Sequence, residues 1–450
     1  MKKISRRDFL KLGGGFLSGS LAANWLPKTV QFGRVEVKPP NIVVLVCDAM
    51  TASNLSLYGY PRKTTPNLEK LAKNAFVYHN HHANGNFTIP GTSSLLTGLQ
   101  PWTHRAVNGP GKIKEKFTQH TIFHFLGKKY FKMAFTQNYW AEYLLSQFLS
   151  DIDSLLPATE FGLINGATNQ KFKKDQRIAN QAWIQMLYYG NSLLLSFING
   201  FYYQTKTKTL LSEDYPAGLP RATFYDNVFT MRDLFDGIAD KILELDEQES
   251  PFFSYFHIYP PHNPYSPHKD FFGMFDGDDY EPIVKREHVL SSGATQSSLN
   301  RERREYDSFL ANIDMEIGRI ISKLKEQGVL DRTYFVLAAD HGEMFERGTN
   351  GHFTGMLYEP VIKVPLMVFV PGNELRRDFF TPSSNVDLLP TILNLAGMEI
   401  PASCEGKILP GLGGVEDESR SIIAMEAKES SAFRPFTKAT YSIIRGNYKL

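Results

Sequence analysis

Cysteine is scarce: Cys47 and Cys404 are the only two in 450 residues. Two thiols so far apart exclude a disulfide framework and a cysteine-based zinc cluster, and leave one disulfide as the most the chain can form. Neither sign of charge dominates. There are 49 Lys and Arg against 47 Asp and Glu, a net charge of +2. Five of the basic residues (Lys2, Lys3, Arg6, Arg7 and Lys11) crowd the first eleven positions against Asp8 alone. The rest is slightly acidic, which excludes nucleic acid as a general partner. An unbroken apolar run of membrane-spanning length is also missing. The nearest approach is Ala179 to Thr205, uncharged and rich in aromatics such as Trp183, Tyr188 and Phe201, but Asn, Gln and two glycines interrupt it. A spanning helix is not expected there. The expected form is a helical hairpin packed on the main domain. A lipid-contacting surface, with Lys171, Lys173 and Lys174 beside it, is the alternative, so membrane contact stays open. Internal repeats and low-complexity blocks are absent.

What is present begins with an address. Ser5-Arg6-Arg7-Asp8-Phe9-Leu10-Lys11, followed by the modest apolar run Leu12 to Leu21, resembles a twin-arginine export signal. Residues 1–30 are therefore expected to engage the twin-arginine export machinery and to deliver a folded protein to a periplasmic or other extracytoplasmic location. Ala22-Ala23 is a fair cleavage site at most, so an uncleaved signal acting as a membrane anchor is the alternative.

Four short apolar runs read as strands buried on both faces: Asn41–Cys47, Pro251–Ile258, Tyr334–Ala339 and Val364–Val370. Pro365 is tolerated only near a strand start or on an edge. Between them lie helical patterns. Thr65-Pro66 offers a cap and a first-turn proline. Tyr306, Leu310, Ile313, Ile317, Ile320, Ile321 and Leu324 mark one side of a long amphipathic helix that Gly328 stops. Leu389–Gly397 is a short helix with proline near its start and glycine at its end. Alternating strands and helices predict an α/β fold, a three-layer sandwich with helices on both faces of the sheet. A body at 40–400 is expected, with an insertion at about 144–250. Residues 401–450 begin a small C-terminal subdomain, ending in a hairpin at Tyr441–Leu450 that looks cut in mid-strand, as in a fragment.

Chemistry collects at strand ends. Asp48 directly follows the first strand, and Asp340-His341-Gly342-Glu343 follows the third. Ligands gather at the carboxyl ends of parallel strands. If these two strands are neighbours, Asp48, Asp340 and His341 converge, and two carboxylates with an imidazole suit a divalent metal ion, Zn²⁺ or Mn²⁺ better than Ca²⁺. Thr88 opens Asn86-Phe87-Thr88-Ile89-Pro90-Gly91-Thr92, a loop that turns into a short helix ended by Gly98. A helix start favours negative charge before it. Metal bound to the Thr88 hydroxyl would lower its pKa. His262, between prolines in Pro260-Pro261-His262-Asn263-Pro264, is held in a stiff loop. The cluster His79, His81 and His82 admits either a metal site or ordinary hydrogen bonding.

These segments resemble the sulfatase family of the alkaline-phosphatase superfamily. The resemblance runs from Asn41 to about Pro401. It rests on Asp48, Thr65-Pro66-Asn67-Leu68, Pro90 with Leu95-Leu96-Thr97-Gly98, Pro261-His262-Asn263-Pro264-Tyr265, and Tyr306, Asp314 and Gly318. It continues through Asp340-His341-Gly342-Glu343, Tyr358-Glu359, Val364-Pro365-Leu366 and Val386-Asp387 with Pro390-Thr391. The resemblance implies a central, mostly parallel sheet between helices. It implies metal ligation by Asp48, Asp340, His341 and Thr88, with Thr88 at the nucleophile position. It also implies catalytic contacts to the ester or leaving group from His262 and His352.

The departures are informative. Sulfatases start from cysteine or serine, oxidised to an aldehyde and hydrated to a diol; threonine would give a poorly hydrating ketone. The usual arginine four residues later is Thr92, and the second acid of the usual pair is Ala49. Direct attack by Thr88 on a phosphate ester or phosphodiester is therefore expected, as in relatives that transfer phosphoethanolamine or glycerophosphate groups. The substrate class is a phosphate or sulfate ester, with lipid or glycan as candidate carriers. Sulfuric ester hydrolysis and a catalytically silent ligand-binding fold are the alternatives.

Overall fold

Every residue of Asn41–Cys47 (β1) is buried, because this run of β-branched and apolar side chains lies mid-sheet with helices on both sides. The computed structural model describes residues 38–109, 111–163, 213–222, 227–431 and 434–450. Residues 1–30, where an export signal is expected, and the aromatic stretch Ala179–Thr205 lie outside the described residues.

The other strands of the main sheet are β2 (Ala75–Tyr78), β3 (Phe131–Thr136), β4 (Ser154–Leu156), β5 (Phe252–Ile258), β6 (Thr333–Ala338), β7 (Leu366–Phe369) and β8 (Arg377–Phe379). Among the described residues their order is β8-β2-β7-β6-β1-β5-β3-β4. Only β7 runs antiparallel to its neighbours; the other pairings are parallel. Pro365 falls just before β7, where its missing N–H breaks no ladder bond. Within the stretch expected to be an insertion, β4 is an edge strand of this sheet, so the frame extends past residue 144.

The helices used below are α1 (Pro66–Leu71), α2 (Thr88–Thr97), α3 (Tyr139–Leu145), α4 (Met231–Asp246), α5 (Gln296–Glu326) and α6 (Leu388–Leu395). Val43 and Leu45 of β1 pack with Ile238 and Ile242 of α4 and Ile313 and Ile317 of α5. Ile42, Val44 and Val46 pack on the opposite face with Ile89 and Leu95 of α2 and Leu389 and Ile392 of α6. This alternation is the period of two made visible, and it completes the three-layer α/β sandwich. Each such Ile, Leu or Val contributes about 1.5–3 kcal/mol by leaving water.

Some local expectations change. Thr65 does not cap α1; its hydroxyl accepts from Leu57 N at 3.0 Å. The cap is Asp314 of α5, whose carboxylate accepts from Asn67 N and Leu68 N, both at 2.8 Å. A long-range carboxylate thus satisfies the free N–H groups of the first turn. The histidine cluster disperses: His79 pairs with Asp378 at 2.6 Å, while His81 bonds Ser383 and Asn385, each at 2.9 Å. Cys47 and Cys404 are both free thiols. The C-terminal sheet contains β9 (Ser421–Glu426), β10 (Thr440–Arg445) and β11 (Tyr448–Lys449), all antiparallel, and the expected hairpin is β10–β11.

Candidate active site

Register builds the site. Val46 of β1 lies opposite Ala338 of β6 on one side and His257 of β5 on the other. The residues that follow these strands therefore emerge together. Asp48, His257, Asp340 and His341 are all fully buried. His341 Nε2 lies 3.2 Å from Asp48 Oδ1 and 3.6 Å from Asp340 Oδ2. His257 Nε2 lies 3.6 Å from Asp340 Oδ2 and 3.8 Å from Asp48 Oδ2.

Thr88 is the first residue of α2 and Pro90 the third. The hydroxyl is 3.5 Å from His341 Nε2 and accepts from Asn138 Nδ2 at 3.1 Å. Asn138 Nδ2 also reaches Asp48 Oδ2, while its Oδ1 caps α3 by accepting from Trp140 N at 2.8 Å. One side chain thereby ties the Thr88 hydroxyl, the Asp48 carboxylate and a helix start together.

Electrostatics follow from burial and pairing. Burial works to raise the Asp48 pKa, yet the imidazoles of His341, His262 and His257 hold it well below the carboxylate range. Asp340 moves up through burial, with His341 opposing. Burial works against charge on His341, but Asp340 and Asp48 push it up to about 9. The carboxylates are thus balanced by a proton on His341, and a bound cation would take over that balance and release the proton.

The donor set fits a divalent cation. Asp340 Oδ2 and His257 Nε2 are buried without a hydrogen-bond partner, and Asp48 Oδ1 has only the His341 ring beside it, at 3.2 Å. Leaving such atoms unmet is costly unless something coordinates them. Asp48, His257 and Asp340 can each offer one ligand atom within 4.8 Å of the others, the metal-capable group among the described residues. His341 Nε2 and Thr88 Oγ1 border the same point.

A cavity of about 860 Å³ opens at Thr88, lined also by His262 and His352 and by Phe87, Trp140, Tyr259, Tyr265 and Phe353. His262 Nδ1 is 2.8 Å from Asn263 O, and its ring centre is 4.9 Å from that of His352. The His352 ring is 4.2 Å from that of His341, and its Nδ1 is 3.1 Å from Glu343 Oε2. Burial pushes Glu343 up to about 7; burial, helped by charge on His341, pushes His352 down to about 3. Any proton this pair holds at neutral pH therefore sits on Glu343 and not on the His352 ring.

Sequence reasoning missed His257, Asn138, the pairing role of Glu343, and Lys428, which reaches the cavity from beyond β9. His257 sits inside an apolar run and reads as core. Its signal was a titratable residue one position from the carboxyl end of a central strand.

Residues 40–398 match the family described as Sulfatase. The chain belongs to the sulfatase family. This sulfatase-family protein is similar to an arylsulfatase of Clostridium perfringens, 24% identical over 397 residues, covering 83% of this chain and 78% of the relative. It is 23% identical over 416 residues to a choline-sulfatase of Rhizobium meliloti, covering 87% and 75%. In fold it resembles the phosphonate monoester hydrolase of Agrobacterium radiobacter, with a TM-score of 0.66 at 19% identity, covering 91% of this chain and 86% of that one. Membership makes the protein an ester hydrolase of the sulfatase family. Enzymes of this family and its alkaline-phosphatase-like relatives bind a divalent metal, which the orphaned atoms of Asp48, His257 and Asp340 suit.

Proposed function

We propose that this sulfatase-family protein cleaves phosphate esters or phosphodiesters through Thr88. The observation that carries the reading is the Thr88 hydroxyl, at a helix start, beside His341 and open to the cavity. The reacting phosphate enters that cavity with its oxygens toward the first turn of α2, where the helix end favours negative charge. Asp48, Asp340 and His341 would hold a divalent cation, whose Lewis acidity would lower the pKa of the Thr88 hydroxyl. Thr88 Oγ1 gives its proton to water in the cavity and attacks phosphorus. The ester oxygen leaves beside His262 and His352, taking a proton from the His352 ring that the Glu343 carboxyl, at about 7, replaces through Nδ1, and a phosphothreonine forms. Water or an alcohol then accepts the phosphoryl group, restoring the hydroxyl. Thr92 and Ala49 support this route, because the diol chemistry of sulfatases lacks its usual arginine and second acid here.

The protein acts outside the cytoplasm in this reading, delivered by the twin-arginine machinery, on a lipid- or glycan-borne ester. Replacing Arg6 and Arg7 by lysine should trap it in the cytoplasm; unaltered export would remove that part.

Sulfate ester hydrolysis is the second reading, favoured by the relatives that carry sulfatase names. Hydrolysis of an aryl phosphodiester faster than of the aryl sulfate, lost in Thr88→Ala, with a phosphate adduct on Thr88 by intact mass, is the expected result. Faster aryl sulfate turnover would overturn it in favour of the second reading.

A further inference from the structure

Within a strand, residues two apart share a face. In β5 this sets Tyr255 beside His257, both fully buried, with the phenol oxygen 3.2 Å from His257 Nδ1. The other ring nitrogen, Nε2, has no hydrogen-bond partner and lies between two carboxylates. One nitrogen is anchored and the other is aimed. An imidazole that binds a metal commonly gives its remaining N–H to an outer group, which fixes tautomer and ring orientation.

We propose that Tyr255 is a positioning residue of the metal centre: its phenol oxygen accepts the Nδ1 proton of His257, which leaves the Nε2 lone pair facing Asp48 and Asp340 and makes His257 a ligand. This rests on the metal-dependent reading above. It also accounts for Ala49, where the resemblance leads one to expect a second carboxylate: a nitrogen from β5 takes the place of that oxygen. With His341, the centre then offers two imidazoles and two carboxylates. Such a set suits Zn²⁺ or Mn²⁺, whereas Ca²⁺ prefers six to eight oxygens. Were the phenol to donate to Nδ1 instead, Nε2 would carry the proton and a cation would be repelled from that corner. The two arrangements differ in metal affinity.

The test uses the full chain stripped by chelator and titrated with Mn²⁺, Zn²⁺, Co²⁺ and Ca²⁺, reading bound metal by elemental analysis, affinity by calorimetry and the Co²⁺ absorption band. Tyr255→Phe keeps the ring volume and is expected to weaken transition-metal binding about 10–100-fold. His257→Ala is expected to weaken it further and to change the Co²⁺ band. Thermal unfolding of the metal-free proteins checks that both variants fold. Wild-type binding with Tyr255→Phe within twofold of it overturns this proposal while leaving the metal-dependent reading standing. Wild-type protein that binds none of the four ions overturns both. Ca²⁺ bound more tightly than Mn²⁺ and Zn²⁺ overturns the ligand assignment of His257.

Discussion

The Thr88 hydroxyl and His341 Nε2 lie 3.5 Å apart in the buried centre of the molecule, although 253 positions separate them in the chain. Gly91 makes that approach feasible. A Cβ there would fall 2.2 Å from the Asp340 carbonyl oxygen, so α2 rests directly on the backbone that carries the site. Gly91→Ala must push α2 away. We expect it to cost about 1–3 kcal/mol in denaturant unfolding and to lower turnover about a hundredfold through misplacement of Thr88.

Asn138 offers a separation of roles. Its Oδ1 caps α3, and its Nδ2 serves Asp48 and Thr88. Asn138→Asp keeps an acceptor for the cap but sets a second carboxylate against Asp48. The expected outcome is a melting temperature within a few degrees of wild type, because the cap is kept, with turnover reduced about 10²–10³-fold through loss of a preorganised donor. Asn138→Ala should lose both, including about 1 kcal/mol for the cap.

Acid should weaken the fold through two buried histidines far from solvent. Burial pushes His81 down to about 3 despite its bond to Asn385, and burial alone does the same to His104, also to about 3. The unfolded chain takes up these protons near pH 6.5 and the folded one only near 3. Between those values the unfolded state binds more protons, so the stability present above pH 6.5 is lost as pH falls toward 3. Each histidine should account for about 2 kcal/mol between pH 6.5 and 5. Urea titrations at several pH values check this. His104→Gln should flatten part of the slope, and an unchanged slope would refute the assignment.

Asp387 holds the C-terminal sheet to the main body. Its buried carboxylate accepts from Ser384 N and Lys407 N, both at 2.8 Å, and pairs in two-pronged fashion with Arg420, at 2.6 and 2.7 Å. Arg420 directly precedes β9. Asp387→Asn should cost about 3–5 kcal/mol, because it leaves the largely buried guanidinium unpaired. Chemical denaturation measures it; a loss below about 1 kcal/mol would show that the ion pair is dispensable.

The amino-acid sequence determined the layers by itself. Apolar runs such as Asn41–Cys47 and the spacing from Tyr306 to Leu324 report burial within a few residues of themselves, and hydrophobic patterning is a local property. The strand-end acids were equally legible, since Asp48 and Asp340 each follow such a run. Only the tertiary structure decided that β1 lies between β5 and β6. Strand order depends on contacts between distant segments, and no local pattern encodes it. That order brings His257, hidden in an apolar strand, and Asn138, outwardly a helix cap, to the same point as Thr88, and it sets Glu343 against His352. The sequence supplied the groups, and the sheet order, by fixing which strand tips meet, decided which of them face one another.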